Sequence, residues 1–305
     1  MIQSNDLSKP LNTYNVLSPT LVEDWLRCPT YGHLNMNWEP LGSWAPHKLV
    51  GKAFSQALQA ALLPEGLLIL NPAPESIAAG NLALNTTSPE AILELVIRAG
   101  WQDQDDWPLE TLVSLAKKGL KAALKETVQQ ILDTETILAT ELDVGEPGTE
   151  PGQWSNARLD LLTERGSDLI VTDHKSALKL DTQWIPKRLI EAEADWQLLT
   201  YAWQVQERLN RPVTRLRRHL IVSSPKAKAY LHEYQLDQDF LQAWHRGAEK
   251  EWLYISSLKD LPLQELPMRL PSCYGKYGKC AFYEACHVAN RDEAKMSVLY
   301  QRRVK

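Results

Sequence analysis

The sequence predicts a mixed α/β fold with a helical insertion, and two observations predict it. Up to about residue 133, apolar residues recur mainly at helical spacing. From residue 136 the pattern changes to short alternating runs bounded by turn residues, followed by one more helical stretch and two further strand candidates. Helices, a strand meander, a helix and then strands describe a layered α/β or α+β core.

The elements follow in order. Residues 1–17 are polar and are expected to form a flexible N-terminus. Leu17-Ser18-Pro19-Thr20 reads as a helix start, with Ser18 as N-cap and Pro19 at the first helical position. That helix runs to Arg27 and stops near Cys28-Pro29. Residues 47–63 place Leu49, Ala53, Leu58 and Leu62 on one broad face. Residues 64–87 are rich in Pro, Asn, Thr and Ala and read as a connection, and 89–99 and 108–133 as helices. Strands are predicted at 136–144, 156–163 and 168–174, with Gly145, Pro147, Gly148, Pro151 and Gly152 as turn residues between the first two. A helix is expected over 187–208, strands over 215–223 and 229–236, and a helix over 238–256. Residues 262–287 carry Pro, Gly and Cys and are expected to be irregular, and 288–305 form a C-terminal tail.

Composition narrows the classes. The chain has 305 residues, 44% hydrophobic, with a formal net charge of −5. A global basic coat for nucleic acid is excluded, although a local basic groove is not. Four cysteines are too few for a disulfide-rich secreted scaffold. No apolar run approaches a membrane span and the N-terminus has no signal-peptide core, so a cytoplasmic protein is expected.

The strongest chemical signal is Asp160 with Asp173-His174-Lys175. Both aspartates lie on predicted strands joined by a short turn, so antiparallel pairing brings the carboxylates towards one cation. Mg²⁺ takes hard oxygen ligands and usually only one or two carboxylates. The His174 carbonyl offers a further oxygen, and Glu141 near the end of the preceding strand offers another carboxylate. Lys175 is two residues from Asp173, so on a strand it shares its side. An ammonium there holds a water or stabilises charge on a phosphate. Gln197 and Tyr201 are four apart and share a helix face. Lys187, Arg188, Arg215 and Arg217 are among the densest basic positions and are candidates for tracking phosphates. Trp184, Trp196 and Trp203 are candidates for base stacking or for core packing.

The cysteines are Cys28, Cys273, Cys280 and Cys286. Four thiolates suit one [4Fe–4S] cluster or one structural zinc. The spacing is Cys-x6-Cys-x5-Cys preceded by a distant Cys-Pro, which is not the usual zinc hook.

Asp160, then Asp173-His174-Lys175, then Gln197-Leu-Leu-Thr-Tyr201 resembles the PD-(D/E)XK nuclease superfamily, in its RecB-like branch of AddB-type, CRISPR adaptation-type and phage exonucleases. The resemblance runs from about Leu17 to His287. It implies a restriction-endonuclease-like mixed sheet flanked by helices, forming a single domain over 18–287. Within that domain, 64–135 would be a helical insertion and 262–287 the cysteine-bearing segment. The implied activity is a Mg²⁺- or Mn²⁺-dependent deoxyribonuclease, an exonuclease acting on DNA ends or single strands in recombination or repair. Asp160, Asp173 and the His174 carbonyl would hold the metal, Lys175 would serve the attacking water, and Gln197 and Tyr201 would position the strand. A helicase or annealing-protein partner is implied, as is a host-cytoplasmic location if the protein is phage-encoded. The iron–sulfur members of the branch bracket the nuclease core with one cysteine before it and three after, as this chain does. That implies a [4Fe–4S] cluster on Cys28, Cys273, Cys280 and Cys286, with zinc as the alternative. The sequence departs from the family at one motif. In the early helix, Gly51-Lys52-Ala53-Phe54-Ser55 aligns with a Gly-x-x-x-His run, and Ser55 stands at the His position. The alternative reading is therefore an impaired nuclease fold kept as a DNA-binding scaffold.

Overall fold

The structure is a computed structural model describing residues 19–40, 46–62, 88–101, 108–143, 158–178, 180, 182–258, 260–275 and 278–302. Ser18, the 64–87 connection and the turn residues after 144 lie outside the described residues. The elements run α1 (Pro19–Arg27), α2 (Pro29–Asn37), β1 (Trp38–Pro40), α3 (Pro46–Leu62), α4 (Pro89–Gly100) and α5 (Leu109–Ala123). A π-helical turn at Leu124–Val128 leads into α6 (Gln129–Thr134). Then come β2 (Thr136–Asp143), β3 (Arg158–Arg165), β4 (Asp168–Leu178), α7 (Ile185–Ile190) and α8 (Trp196–Leu209). They are followed by β5 (Arg215–Ser223), β6 (Lys228–Gln235) and α9 (Gln238–Leu258). The remainder is β7 (Tyr274–Gly275), β8 (Gly278–Lys279), α10 (Tyr283–His287), α11 (Glu293–Met296) and β9 (Tyr300–Arg302).

The chain divides into two compact units. The larger comprises residues 39–144 and 158–247. Its five-stranded sheet has the order β2-β3-β4-β5-β6. β2, β3 and β4 form an antiparallel meander, β4 and β5 are parallel, and β6 returns antiparallel. The parallel step requires a crossover, and α7 and α8 supply it. β5 is buried along almost its whole length, as expected of a strand covered on both faces. Ile221 packs into the cluster of Val50, Phe54, Leu93 and Leu120 from α3, α4 and α5. Its neighbours Leu220 and Val222 pack with Ile185 and Leu189 of α7. Period-two alternation along β5 thus feeds two helical layers. Gly119 permits the close approach of α5, because a Cβ there would collide with Ser223 Oγ and lie 3.0 Å from the Phe54 ring. The 108–135 part of the expected insertion is therefore integral to this core.

α2 and β1 fill a stretch for which the sequence reading gives no element, and two further elements differ from it. The helix expected over 187–208 is broken into α7, a 3-10 turn at Glu191–Ala194, and α8. Asp195 causes the break: its backbone is extended (φ −75°, ψ 120°) and its carboxylate accepts from the N–H groups of Gln197 and Leu198, as an N-cap does. The strand expected over 168–174 continues to Leu178, paired with β5 throughout.

The smaller unit comprises residues 1–38, 145–157 and 248–305. α1 and α2 meet closely, and a Cβ on Gly32 would lie 2.6 Å from Trp25 Cδ1. The junction between these helices is tied to the C-terminal segment. Thr30 Oγ1 donates to Pro267 O at 3.0 Å, and Ser272 Oγ donates to Arg27 O at 2.9 Å. Residues 288–305, expected as a tail, include the buried Met296 and Tyr300. Among the described residues, no helix is long and apolar enough to cross a membrane.

Arg217 corrects an expectation. It was a candidate for phosphate contact, but it is only 1% exposed and cannot line a groove. Its guanidinium sits between Glu135 and Glu233, with Nη1 at 3.0 Å from Glu135 Oε2 and Nε at 3.1 Å from Glu233 Oε2. Arg215 is likewise tied down, to Asp168 at 2.6 Å and Glu233 at 3.2 Å. Removing one member of a buried ionic set leaves uncompensated charge behind. Arg217→Ala is therefore expected to cost about 3–5 kcal/mol in urea unfolding. A loss below about 1 kcal/mol would mean that the network behaves as surface pairs do.

Candidate functional site

The sheet of the larger unit places three carboxylates in a row. β3 and β4 pair Leu161 with Thr172, so Asp160 and Asp173 are the next residues along each strand. β2 and β3 pair Thr140 with Leu161 and Leu142 with Leu159, which puts Glu141 beside Asp160. Asp160 Oδ2 accepts a hydrogen bond from the backbone N–H of His174 at 2.6 Å. Burial, then the charges of Asp173 and Glu141, push the Asp160 carboxyl well above the ordinary carboxylate range.

Lys175 joins this row to α8. Its Nζ donates to Asp173 Oδ1 at 2.8 Å and to Gln197 Oε1 at 2.6 Å. Gln197 Nε2 in turn donates to the Tyr201 hydroxyl at 2.5 Å. Strand alternation puts Asp173 and Lys175 on the α8 side, and the four-residue spacing puts Gln197 and Tyr201 on one stripe of the helix. Burial opposes the Lys175 charge, but the Asp173 carboxylate outweighs it and raises the pKa, so the ammonium persists at neutral pH. Burial and the Asp160 charge likewise raise the Tyr201 phenol, which stays protonated.

Asp173 has no exposed surface and is held from its other side by Arg218, whose Nη1 is 3.3 Å from Oδ2. Arg218 also pairs with Asp195, the N-cap of α8. The ring Asp173, Arg218, Asp195, Gln197, Lys175 thus closes sheet onto helix. On the opposite face of the sheet, His174 Nδ1 and His219 Nδ1 are 2.9 Å apart, and His219 Nε2 is 2.8 Å from Thr127 Oγ1 in the π-helical turn. Burial lowers the His174 pKa to about 4 and that of His219 well below its ordinary value, so both rings are neutral at pH 7.

The third carboxylate has an unusual backbone. Glu141 has φ 49° in a strand, a left-handed conformation that costs a non-glycine residue on the order of 1–3 kcal/mol. Its Oε1 accepts a hydrogen bond from Ser55 Oγ of α3, and its Oε2 lies 3.7 Å from exposed Arg158.

The donor set fits a hard divalent cation. Among the described residues no group of three or more His, Cys, Asp or Glu side chains is placed to hold a metal ion. Mg²⁺ needs none, since it takes one or two carboxylates and keeps its waters. Asp173 Oδ2 is buried without a hydrogen bond, and burial, with repulsion from Asp173 and Glu141, raises the Asp160 carboxyl. Both features are what a cation would relieve.

The remaining sequence candidates lie elsewhere. Lys187 and Arg188 are exposed on α7, within 3.8 and 3.5 Å of Glu191. Trp203 stacks on His245 at 3.7 Å and Trp196 meets Trp244 edge-on at 5.3 Å, so both rings are engaged in packing α8 with α9. In the smaller unit, Cys28, Cys273, Cys280 and Cys286 all line one pocket, with Arg27, Tyr31 and Phe282. The N–H of Arg269 is 3.5 Å from Cys28 Sγ and that of Phe282 is 3.4 Å from Cys280 Sγ. Burial, with the neighbouring cysteines, pushes the Cys286 thiol up to about 12. Sequence reasoning missed the pairing of Arg218 with Asp173, His219 and the contact of Ser55 with Glu141, all of which depend on strand register or helix placement. Asp195 was missed too, inside the helix expected over 187–208; an Asp just ahead of the Gln197 stripe is the N-cap signal that could have found it.

The profile of the PD-(D/E)XK nuclease superfamily matches residues 16–287 of the chain. No curated protein sequence matches it. Among solved structures, a candidate exonuclease from Eubacterium rectale superposes with a TM-score of 0.52 at 11% identity, covering 96% of this chain and 94% of that one. At that identity the likeness concerns the fold.

Asp160 yields a pH test on the metal-free protein. In the unfolded chain its carboxyl ionises near 3.8, whereas in the fold it ionises at higher pH. Ionisation at neutral pH therefore costs the native state, and stability returns as pH falls through the folded pKa. Asp160→Asn is expected to raise the melting temperature at pH 7 and to lose that advantage below about pH 4. A variant less stable than wild type at pH 7 would contradict this electrostatic account.

Proposed function

The chain belongs to the PD-(D/E)XK nuclease superfamily, and on that premise we propose that it is a Mg²⁺- or Mn²⁺-dependent deoxyribonuclease acting on DNA ends or single strands. The observation that carries the reading is the continuous chain Asp173, Lys175, Gln197, Tyr201 beside Asp160. Asp160 and Asp173, with the His174 carbonyl, would hold the cation, and Glu141 lies next to them. A bound cation supplies Lewis-acid polarisation of the phosphate and lowers the pKa of a coordinated water. Lys175 stays protonated, so it orients that water and stabilises charge on the phosphate rather than acting as a base. Gln197 fixes the lysine direction, and the Tyr201 phenol remains a donor towards the strand. Lys187 and Arg188, exposed on α7, would follow the backbone with a salt-dependent affinity. An exonuclease role in recombination or repair, a helicase or annealing partner, a cytoplasmic location and phage origin complete this reading.

The four cysteines would hold a [4Fe–4S] cluster with a structural role, zinc being the alternative. Four soft thiol donors on one pocket and N–H groups directed at two of the sulfurs support this reading. Protein purified without oxygen is expected to be brown, with four iron atoms per chain. One zinc per chain would favour the alternative, and a stable, metal-free protein with four titratable thiols would remove both.

End-labelled single- and double-stranded DNA, incubated with Mg²⁺ or Mn²⁺, tests the main reading. Wild type is expected to cleave, and Lys175→Ala to lose about 10²–10⁴-fold in rate; the variant also uncovers the Asp173 charge, so its rate is read at a temperature where circular dichroism shows it folded. DNA binding without cleavage by wild type would favour a scaffold.

A further inference from the structure

We infer that His219 is a positioning residue for the proposed cation site: seated on Thr127 of the π-helical turn, it holds the His174 ring, and the His174 main chain in turn holds Asp160. The inference rests on the nuclease reading and deepens it.

His174 is the residue at which the meander opens. The ladder between β3 and β4 ends at the pair Leu161 and Thr172. Two residues further on, the His174 N–H donates not to a β3 carbonyl but to Asp160 Oδ2, at 2.6 Å. In an extended strand the N–H and C=O of one residue face the same neighbouring strand. The His174 carbonyl therefore faces the Asp160 side as well, beyond the last paired residues of β3 and β4. On that side the ladder no longer fixes the peptide plane, so the anchorage of the ring bears on it directly.

The anchorage has a fixed direction. Strand alternation sends the ring to the face away from Lys175, and the parallel register sets it beside His219. The two rings meet edge-on, with their Nδ1 atoms 2.9 Å apart. The Thr127 hydroxyl has one proton and donates it to Ala123 O at 2.8 Å. At 2.8 Å from His219 Nε2 it can therefore only accept. His219 carries its proton on Nε2 and, as a neutral ring, accepts at Nδ1. His174 is then the donor, with its proton on Nδ1. The chain runs from His174 through His219 and Thr127 to the Ala123 carbonyl, and each link sets the tautomer of the next.

Packing alone would not choose this chain. His219 has no exposed surface and Thr127 is buried, yet His174 Nε2 is a buried acceptor with no hydrogen-bond partner among the described residues. Two apolar side chains would fill the same space without that orphan. The chain also ends on the π-helical turn at Leu124–Val128, which interrupts the helix between Ala123 and Gln129. Such turns are rare and recur at functional sites. The orphaned acceptor and the π turn are both costs, and what they achieve is a ring that cannot rotate.

The test uses the full-length protein with isotope-labelled histidine, freed of divalent ions. Nitrogen NMR of wild type is expected to show His219 protonated at Nε2 and His174 at Nδ1, with the His219 signals identified by their loss in His219→Asn. The opposite tautomers would overturn the inference. Mn²⁺ affinity is then read by calorimetry below the melting temperature of every variant. His219→Leu removes the acceptor for His174 and is expected to weaken Mn²⁺ binding at least about tenfold. His219→Asn returns an acceptor oxygen near the Nδ1 position and should recover most of that loss. Thr127→Val is the milder change and should act in the same direction, whereas Thr127→Ser should bind as wild type does. If His219→Leu and Thr127→Val bind Mn²⁺ like wild type while Asp173→Asn does not, the inference falls and the nuclease reading stands. A loss in His219→Leu that His219→Asn does not recover would assign His219 to packing and overturn the inference. If wild type itself binds no Mn²⁺, the nuclease reading fails and takes the inference with it.

Discussion

Asp173 carries a carboxylate with no exposed surface, and a charge in that position survives only if other groups compensate it. Lys175 and Arg218 do so from two sides. Each compensating group is itself tied to the start of α8, Lys175 through Gln197 and Arg218 through Asp195. The strand register that brings in Arg218, the N-cap that starts α8 and the direction of the lysine thus all meet at one buried charge. On the proposed reading, the groups that make the fold tolerate Asp173 also serve its chemistry. A lysine held between two acceptors is pre-organised for phosphate charge, and pre-organised dipoles and charges are the main source of electrostatic stabilisation at such sites.

The compensation is incomplete on the acidic side. Glu141, Asp160 and Asp173 lie on three adjacent strands, and burial and repulsion leave Asp160 with a raised pKa. A protein selected for stability alone would replace one of these carboxylates with a neutral residue. The repulsion among them, beside a strained backbone at Glu141, is what the proposed cation would relieve. The two neutral histidines on the opposite face show the other solution, in which burial is tolerated by giving up charge altogether.

The smaller unit follows a different logic. Backbone carbonyls around Cys28 and Pro267 accept hydrogen bonds from Thr30, Ser272 and Arg269, and these tie the first helices to the C-terminal segment. The four cysteines line a pocket at that junction. A metal or cluster there would close a loop of more than two hundred residues, where a crosslink restricts the unfolded chain most.

The sequence by itself determined the element order, the meander carrying Asp160 and Asp173, and the common side of Asp173 and Lys175. These rest on periodicity, which is a property of neighbouring residues. It also carried the Gln197–Tyr201 stripe and the bracket of cysteines, because motif spacing is local even when the motifs are far apart. Only the tertiary structure decided which charges are buried. Arg217 reads as one more base in an exposed run, but its strand lies inside the sheet between β4 and β6, and two glutamates close over it. Strand register set Arg218 beside Asp173 and His219 beside His174, and register is a relation between segments that no single segment encodes. Ser55 shows the difference most clearly. In the sequence it is a substitution in a ligand motif, and in the structure it is a donor to Glu141, 86 residues away.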